Sequence, residues 1–174
     1  LDDIEARERA DHAPYRDWIR AGFLRGCEGD VIDYEDVIDT IMQAAKDYDL
    51  RIVGFDPWLS TTITQRLMSL IAGAGRPTQI VEIPQSMKSI SPPMKEMEHL
   101  IRTHEMLHVH NTAARQCFAN VRCDTDSNEN IHPNKKRSRG RIDITVSWII
   151  AFATSKLAPK PDLADAVATG KWTL

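Results

Sequence analysis

Residues 51–62 read RIVGFDPWLSTT, and the reading of this stretch decides the fold. Ile52, Val53 and Phe55 are apolar, Gly54 interrupts them, and Pro57 ends the run because proline cannot donate to a sheet ladder. The pattern predicts a short buried strand with Asp56 at its carboxyl end. In an open α/β sheet that edge is where ligands and metals collect, since the loops there carry polar groups the sheet does not pair. An Asp-Pro pair also simply opens a turn, and taken alone the turn is the better reading of these residues.

Working outward, Gln79 to Ile83 forms the second clear apolar run. A helix starting at Ser60 or Thr61, with Ile63, Leu67, Leu70 and Ile71 inward, ends in the Gly73, Gly75, Pro77 cluster between the two strands. Strand, helix, strand in that order predicts parallel strands joined by a right-handed crossover. Upstream, YRDWIRAGFLRG predicts a short helix carrying Tyr15, Trp18, Ile19 and Phe23 and closed by Gly22. Asp33 caps a second helix running to about Tyr48, with Tyr34, Val37, Ile38, Ile41, Met42 and Ala45 on one face. Downstream, Ser91 followed by Pro92 predicts a helix start, the helix carrying Met94, Met97, Leu100 and Ile101. A helix over about Asn111–Asn120, a turn-rich stretch with a hairpin near Ser127 and Asn128, and a last helix from about Ile142 to Lys156 complete the series. Residues 1–14 are polar and read as a linker or an excursion from an upstream element, 15–157 as one domain, and 158–174 as a loose tail.

The totals set bounds on function. With 174 residues, 42% hydrophobic and 27% charged, the chain suits one globular domain. No apolar run approaches the roughly 18 residues of a membrane span, and the amino-terminal residues lack the basic-then-apolar pattern of a signal peptide. Cys27, Cys117 and Cys123 show no CxxC spacing, which predicts reduced thiols in a cytosolic setting. The net charge of −3 does not mark a nucleic-acid binder, but Lys135, Lys136, Arg137, Arg139 and Arg141 cluster in one short stretch, and a local basic patch grips phosphates whatever the total.

That patch runs into a helix in KKRSRGRIDITVSWIIAFA, whose first turn holds Asp143. An acid there is stabilised by the helix dipole without any further role. It also suits a divalent metal beside a loop that holds a phosphodiester. Neither reading is specific in isolation; the order of the motifs along the chain is.

RIVGFDPW, followed by QSMKSISPPMKEMEHLI and then HVHNTAARQCFANVRCDTDSNENIHPNKKRSRGRIDITVSWIIAFA, resembles the nuclease domain of the large terminase subunit of tailed bacteriophages. PYRDWIRAGFLRGCEGDVIDYEDVIDTI resembles the segment before that family's central strand. The resemblance implies an α/β, RNase H-like mixed sheet with flanking helices, incomplete at the N-terminus. It implies a metal-dependent endonuclease that cuts concatemeric double-stranded DNA, with Asp56 and Asp143 as catalytic metal ligands. Two Mg²⁺ or Mn²⁺ ions roughly 4 Å apart would suit such hard oxygen donors. Lys135, Lys136, Arg137, Arg139 and Arg141 would contact the DNA backbone. Portal protein and the small terminase subunit would be partners, no membrane would be, and the setting would be the host cytoplasm with transient docking on the procapsid. The family's first acid lies on an opening strand upstream of this chain, and Asp2, Asp3 and Asp11 are poor substitutes for it. No GxxxxGK[ST] loop for a packaging ATPase occurs.

Competing assignments are weaker on the residues. A zinc site from His108, His110, Cys117 and Cys123 lacks the usual short spacing. Ser138 and Ser147 have no base partner for nucleophilic chemistry. Glu82 is an auxiliary ligand or a flank of the sheet, and Trp58 reads as a packing residue over the strand end in preference to a base-stacking one. Two other functions compete: a catalytically silent docking module for portal or the small subunit, and an unrelated phosphate-ester hydrolase.

Overall fold

A computed structural model of the chain describes residues 3–27, 29, 31–59 and 61–158. The expected tail from 159 onward, Ser60 as a helix start, and Asp2 fall outside them. The elements are α1 (Ile4–Asp11), α2 (Tyr15–Arg20), α3 (Tyr34–Asp47), β1 (Ile52–Phe55), a 3-10 turn (Pro57–Leu59), α4 (Thr61–Gly73), β2 (Gln79–Glu82), α5 (Met87–Arg102), α6 (Thr112–Asn120), β3 (Cys123–Thr125), β4 (Ile131–Pro133) and α7 (Asp143–Ser155). None of the described helices is long and apolar enough to cross a membrane.

The crossover expected around Asp56 is present. Strands β1 and β2 pair in parallel, with Ile52 opposite Gln79 and Phe55 opposite Glu82. The ladder extends by one bond at the site end, where the Ile83 N–H donates to the Phe55 carbonyl at 2.9 Å. Strands β3 and β4 form a separate antiparallel hairpin, so the described strands make two small two-stranded sheets in place of the single mixed sheet expected.

Three apolar clusters hold the layers together. Helices α3 and α4 lay Ile38, Leu67 and Ile71 against Val53 and Ile80 of the parallel pair. Tyr34 and Val37, expected on the inward face of α3, are exposed. A second cluster joins Ile83, Ile90, Met94 and Met97 to Ile149 and Ile150, so α5 and α7 share one core. A third seats Trp18 and Ala13 against Ala113 and Ile144 near the head of α7. Full burial of each large aliphatic or aromatic side chain is worth roughly 1.5–3 kcal/mol, and Ile149 is only 1% exposed.

Two elements differ from expectation. Helix α1 occupies the segment read as a linker; it buries no side chain and is tied down by polar contacts instead. Helix α5 begins more than a turn before Pro92, because the Ser86 side chain caps it by accepting from the Ser89 N–H at 3.2 Å. The prolines at 92 and 93 therefore lie inside the helix, where each removes one intrahelical donor. Burial of Ile90, Ser91, Met94 and Met97 holds this helix in place, and the Ser91 hydroxyl accepts from the Ile131 N–H at 3.0 Å.

Candidate active site

Helix α7 crosses the parallel pair at Gly54. A Cβ added at that glycine would lie 1.9 Å from the Thr154 Oγ1 and 3.2 Å from Ile83 Cγ1, so only a residue without a side chain allows the approach. The same crossing brings the carboxyl end of β1 and the amino-terminal head of α7 to one cleft. Asp56, Gln85, Lys135, Asp143 and Ser147 are among the side chains that line it, over a floor of Val146, Ile150 and Thr154. Its volume is about 570 Å³.

Asp56 is held on both carboxylate oxygens. Oδ1 accepts from the Trp58 backbone N–H at 3.2 Å, which bends the chain into the 3-10 turn. Oδ2 accepts from the Gln85 side-chain amide. The Gln85 carbonyl in turn meets His132 Nε2 of β4 at 2.9 Å. The hairpin is thereby connected to the acid through one residue. Gln85 was visible in the sequence only as part of a Gln- and Ser-rich turn, and His132 not at all, because their contacts join segments far apart in the chain.

Asp143 opens α7, where the helix dipole favours its charge. Lys135 Nζ lies 2.9 Å from its Oδ1, with the two side chains 68% and 63% exposed. An ion pair that open to solvent is worth only about 0–1 kcal/mol, so a cation at Asp143 or a phosphate at Lys135 displaces it at little cost. Glu82 is exposed and lies outside the cleft lining.

The basic stretch is a stitched loop. The Asn134 side-chain oxygen accepts from the backbone N–H groups of Lys136 and Arg137 at 2.9 and 3.1 Å. Ser138 Oγ donates to the Asn134 carbonyl at 2.7 Å and accepts from the Arg122 N–H at 3.0 Å. That bonding accounts for Ser138 structurally, with no nucleophilic use. The five basic side chains divide by partner. Lys135 faces Asp143; Arg137 pairs with Asp124 at 2.8 Å, and Arg141 with Asp11 at 3.1 Å. Among the described residues Lys136 and Arg139 enter no ion pair and are exposed. Hydrogen bonds from Arg137 and Asn134 hold the Asp124 carboxyl below the usual carboxylate range.

Arg141 also anchors α1. Asp11 accepts from both Arg141 and the Tyr15 hydroxyl, the latter at 2.8 Å. Burial pushes the Asp11 carboxyl up, but these two hydrogen bonds and the neighbouring positive charges outweigh it and leave it below its ordinary value. Burial, reinforced by Asp11, pushes the Tyr15 phenol up to about 12.

Trp58 corrects the expectation made for it. Trp58 is 88% exposed and so does not pack over the strand end. The zinc reading also fails among the described residues, where no three His, Cys, Asp or Glu side chains group together. Burial pushes the Cys117 and Cys123 thiols up, which suits inert packing residues.

Asp56 and Asp143 offer hard carboxylate oxygens to one cleft, a donor set that fits Mg²⁺ or Mn²⁺ and not a thiophilic metal. A pair of ions requires further oxygen ligands.

Comparison with known proteins places this geometry in context. The family described as "Terminase large subunit, endonuclease domain" matches residues 2–158. The chain is 29% identical over 152 residues to the large terminase subunit of Enterobacteria phage HK97, covering 87% of this chain and 29% of that protein. It is 26% identical over 150 residues to Protein YmfN of Escherichia coli (strain K12), covering 85% of this chain and 32% of that one. The crystal structure of the HK97 bacteriophage large terminase superposes with a TM-score of 0.75 at 27% identity, over 88% of this chain and 31% of that chain. The chain thus spans about 30% of the length of each relative it matches.

Proposed function

The chain belongs to the family of terminase large subunit endonuclease domains, and from that premise we propose that it is an RNase H-like, metal-dependent nuclease that cleaves concatemeric double-stranded DNA during phage genome packaging. The observation that carries this reading is the shared cleft of Asp56 and Asp143, with Lys135 beside them. Residues 15–157 form the nuclease domain in this reading, with α1 packed on it through Asp11 and Arg141.

Each residue has a part. Asp56 and Asp143 would hold Mg²⁺ or Mn²⁺, which when bound supplies positive charge for phosphodiester hydrolysis. A second ion would draw its remaining ligands from further oxygens. Gln85 fixes the orientation of the Asp56 carboxylate, and His132 fixes Gln85. Lys135 exchanges Asp143 for a phosphate oxygen as DNA enters. Lys136 and Arg139, with Arg137 and Arg141 beside them, contact neighbouring phosphates, and because such contacts carry no base information the cleavage is largely indifferent to sequence. Double-stranded DNA, portal protein and the small terminase subunit are the partners this reading implies, in the host cytoplasm at the procapsid.

Incubating the chain with supercoiled plasmid and Mn²⁺ tests it. Nicking that Asp56→Ala and Asp143→Ala each abolish, with the fold retained by circular dichroism, is the expected result. A parent chain that binds its packaging partners and never nicks DNA would instead favour the docking module.

A further inference from the structure

An indole that is 88% exposed is unusual for so large an apolar side chain, which buries about 150–250 Å² when it has a partner, and no described residue covers Trp58. Its position is not arbitrary. The Trp58 backbone N–H donates to Asp56 Oδ1 at 3.2 Å, while Gln85 holds the other oxygen of the same carboxylate. The hydrogen bond that helps orient the acid therefore also fixes the turn that presents the indole. Trp58 sits on the turn that follows Asp56, beside the cleft that Asp56, Lys135 and Asp143 line, and after Lys135 come Lys136 and Arg139, which are exposed and enter no ion pair among the described residues. A ligand that reaches from the basic loop to this neighbouring turn must offer anionic groups to the loop and a flat apolar face to the turn. A nucleotide strand carries both, with phosphates on its backbone and a π-face on every base.

We propose that Trp58 is a substrate-binding residue whose indole stacks on a base beside the phosphate that sits between Asp56 and Asp143. The inference rests on the nuclease reading above and deepens it, because stacking needs a base freed from its own stack. The site would then favour DNA that is locally unpaired near the cut. Base–aromatic stacking is lost on alanine substitution at about 1–3 kcal/mol per base, or about 5- to 100-fold in affinity.

The test measures binding by fluorescence anisotropy in EDTA, where nothing is cut. The probes are a fully paired duplex and the same duplex with a short unpaired gap. Trp58→Ala is expected to weaken binding to the gapped probe by about 5- to 100-fold and to the paired probe by less, and Trp58→Phe to recover most of the loss. In plasmid nicking with Mn²⁺ the Trp58→Ala defect should fall on KM more than on kcat. Equal binding and cleavage by Trp58→Ala and an active parent would overturn the inference and leave the nuclease intact. A fall in kcat at unchanged KM would also overturn it, by assigning the residue to the support of Asp56. A parent that neither binds nor cuts DNA would remove the nuclease reading, and this inference with it.

Discussion

Gly54 is where the site is most sensitive to a single methyl group. A Cβ there would meet Thr154 Oγ1 at 1.9 Å and Thr154 Cβ at 3.0 Å, and Thr154 is itself only 2% exposed with its hydroxyl bonded to the Ile150 carbonyl at 2.6 Å. Neither partner has room to retreat. Overpacking of this kind costs about 1–3 kcal/mol, and here it pushes α7 away from β1. Gly54→Ala should therefore lower the melting temperature and reduce nicking more than stability alone explains, since it separates the two acids; a melting and nicking comparison against Gly73→Ala, whose added Cβ meets nothing within 4 Å, checks this. Tyr15 gives a second prediction at this scale. Its phenol is raised to about 12, so the proton is held more tightly folded than unfolded. The stability it contributes is complete below its ordinary value of 10.0 and is lost as pH rises through about 12. Tyrosinate absorbance should show a late step near pH 12 that Tyr15→Phe removes. Asp11 works in the opposite sense: its carboxyl is lowered from 3.8, so its contribution is present above that value and is lost on further acidification.

At the scale of elements, α7 carries both the head of the site and the centre of the core. Thr145 in its first turns is 3% exposed, and its hydroxyl has no hydrogen-bond partner among the described residues. A buried hydroxyl left unpaired costs about 1–3 kcal/mol, whereas an apolar group of the same shape does not. Thr145→Val should raise the melting temperature without altering the nicking rate. Local chemistry made several elements legible in advance. Asp33 and Asn111 cap α3 and α6 through their side chains, and the Gly- and Pro-rich stretch after α4 breaks the chain where the periodicity says it must. Pro92 misled for a physical reason: proline at a first helical position and proline within a helix differ only in what precedes them. Here the deciding signal was the weaker cap at Ser86, supported by packing that no local pattern encodes. Helix α1 was illegible because it has no apolar face: it is held by ion pairs of Glu5 and Glu8 with Arg16 and of Asp11 with Arg141, which lies far along the sequence.

The whole molecule combines a formal net charge of −3 with a local basic loop, so in the nuclease reading proposed above general repulsion would oppose DNA while the loop would attract it. Lys136 and Arg139 carry that attraction most directly, as the other three basic side chains already have acidic partners. Lys136→Ala and Arg139→Ala should each weaken DNA binding irrespective of sequence and reduce the salt slope by about 1, measurable as affinity against salt concentration. The order of motifs made Asp56 and Asp143 legible as candidates. Their common cleft was implied by the family resemblance and by no local pattern, because it depends on the α7 crossing at Gly54, a contact between residues 100 apart in the chain (154 − 54). The exposure of Trp58 and the Gln85–His132 connection were hidden for the same reason. The most direct measurement is Mn²⁺ binding followed by electron spin resonance on the parent chain, Asp56→Ala and Asp143→Ala. If one cation is shared, either substitution alone weakens binding by at least about tenfold; binding that survives unchanged in either variant would contradict the account.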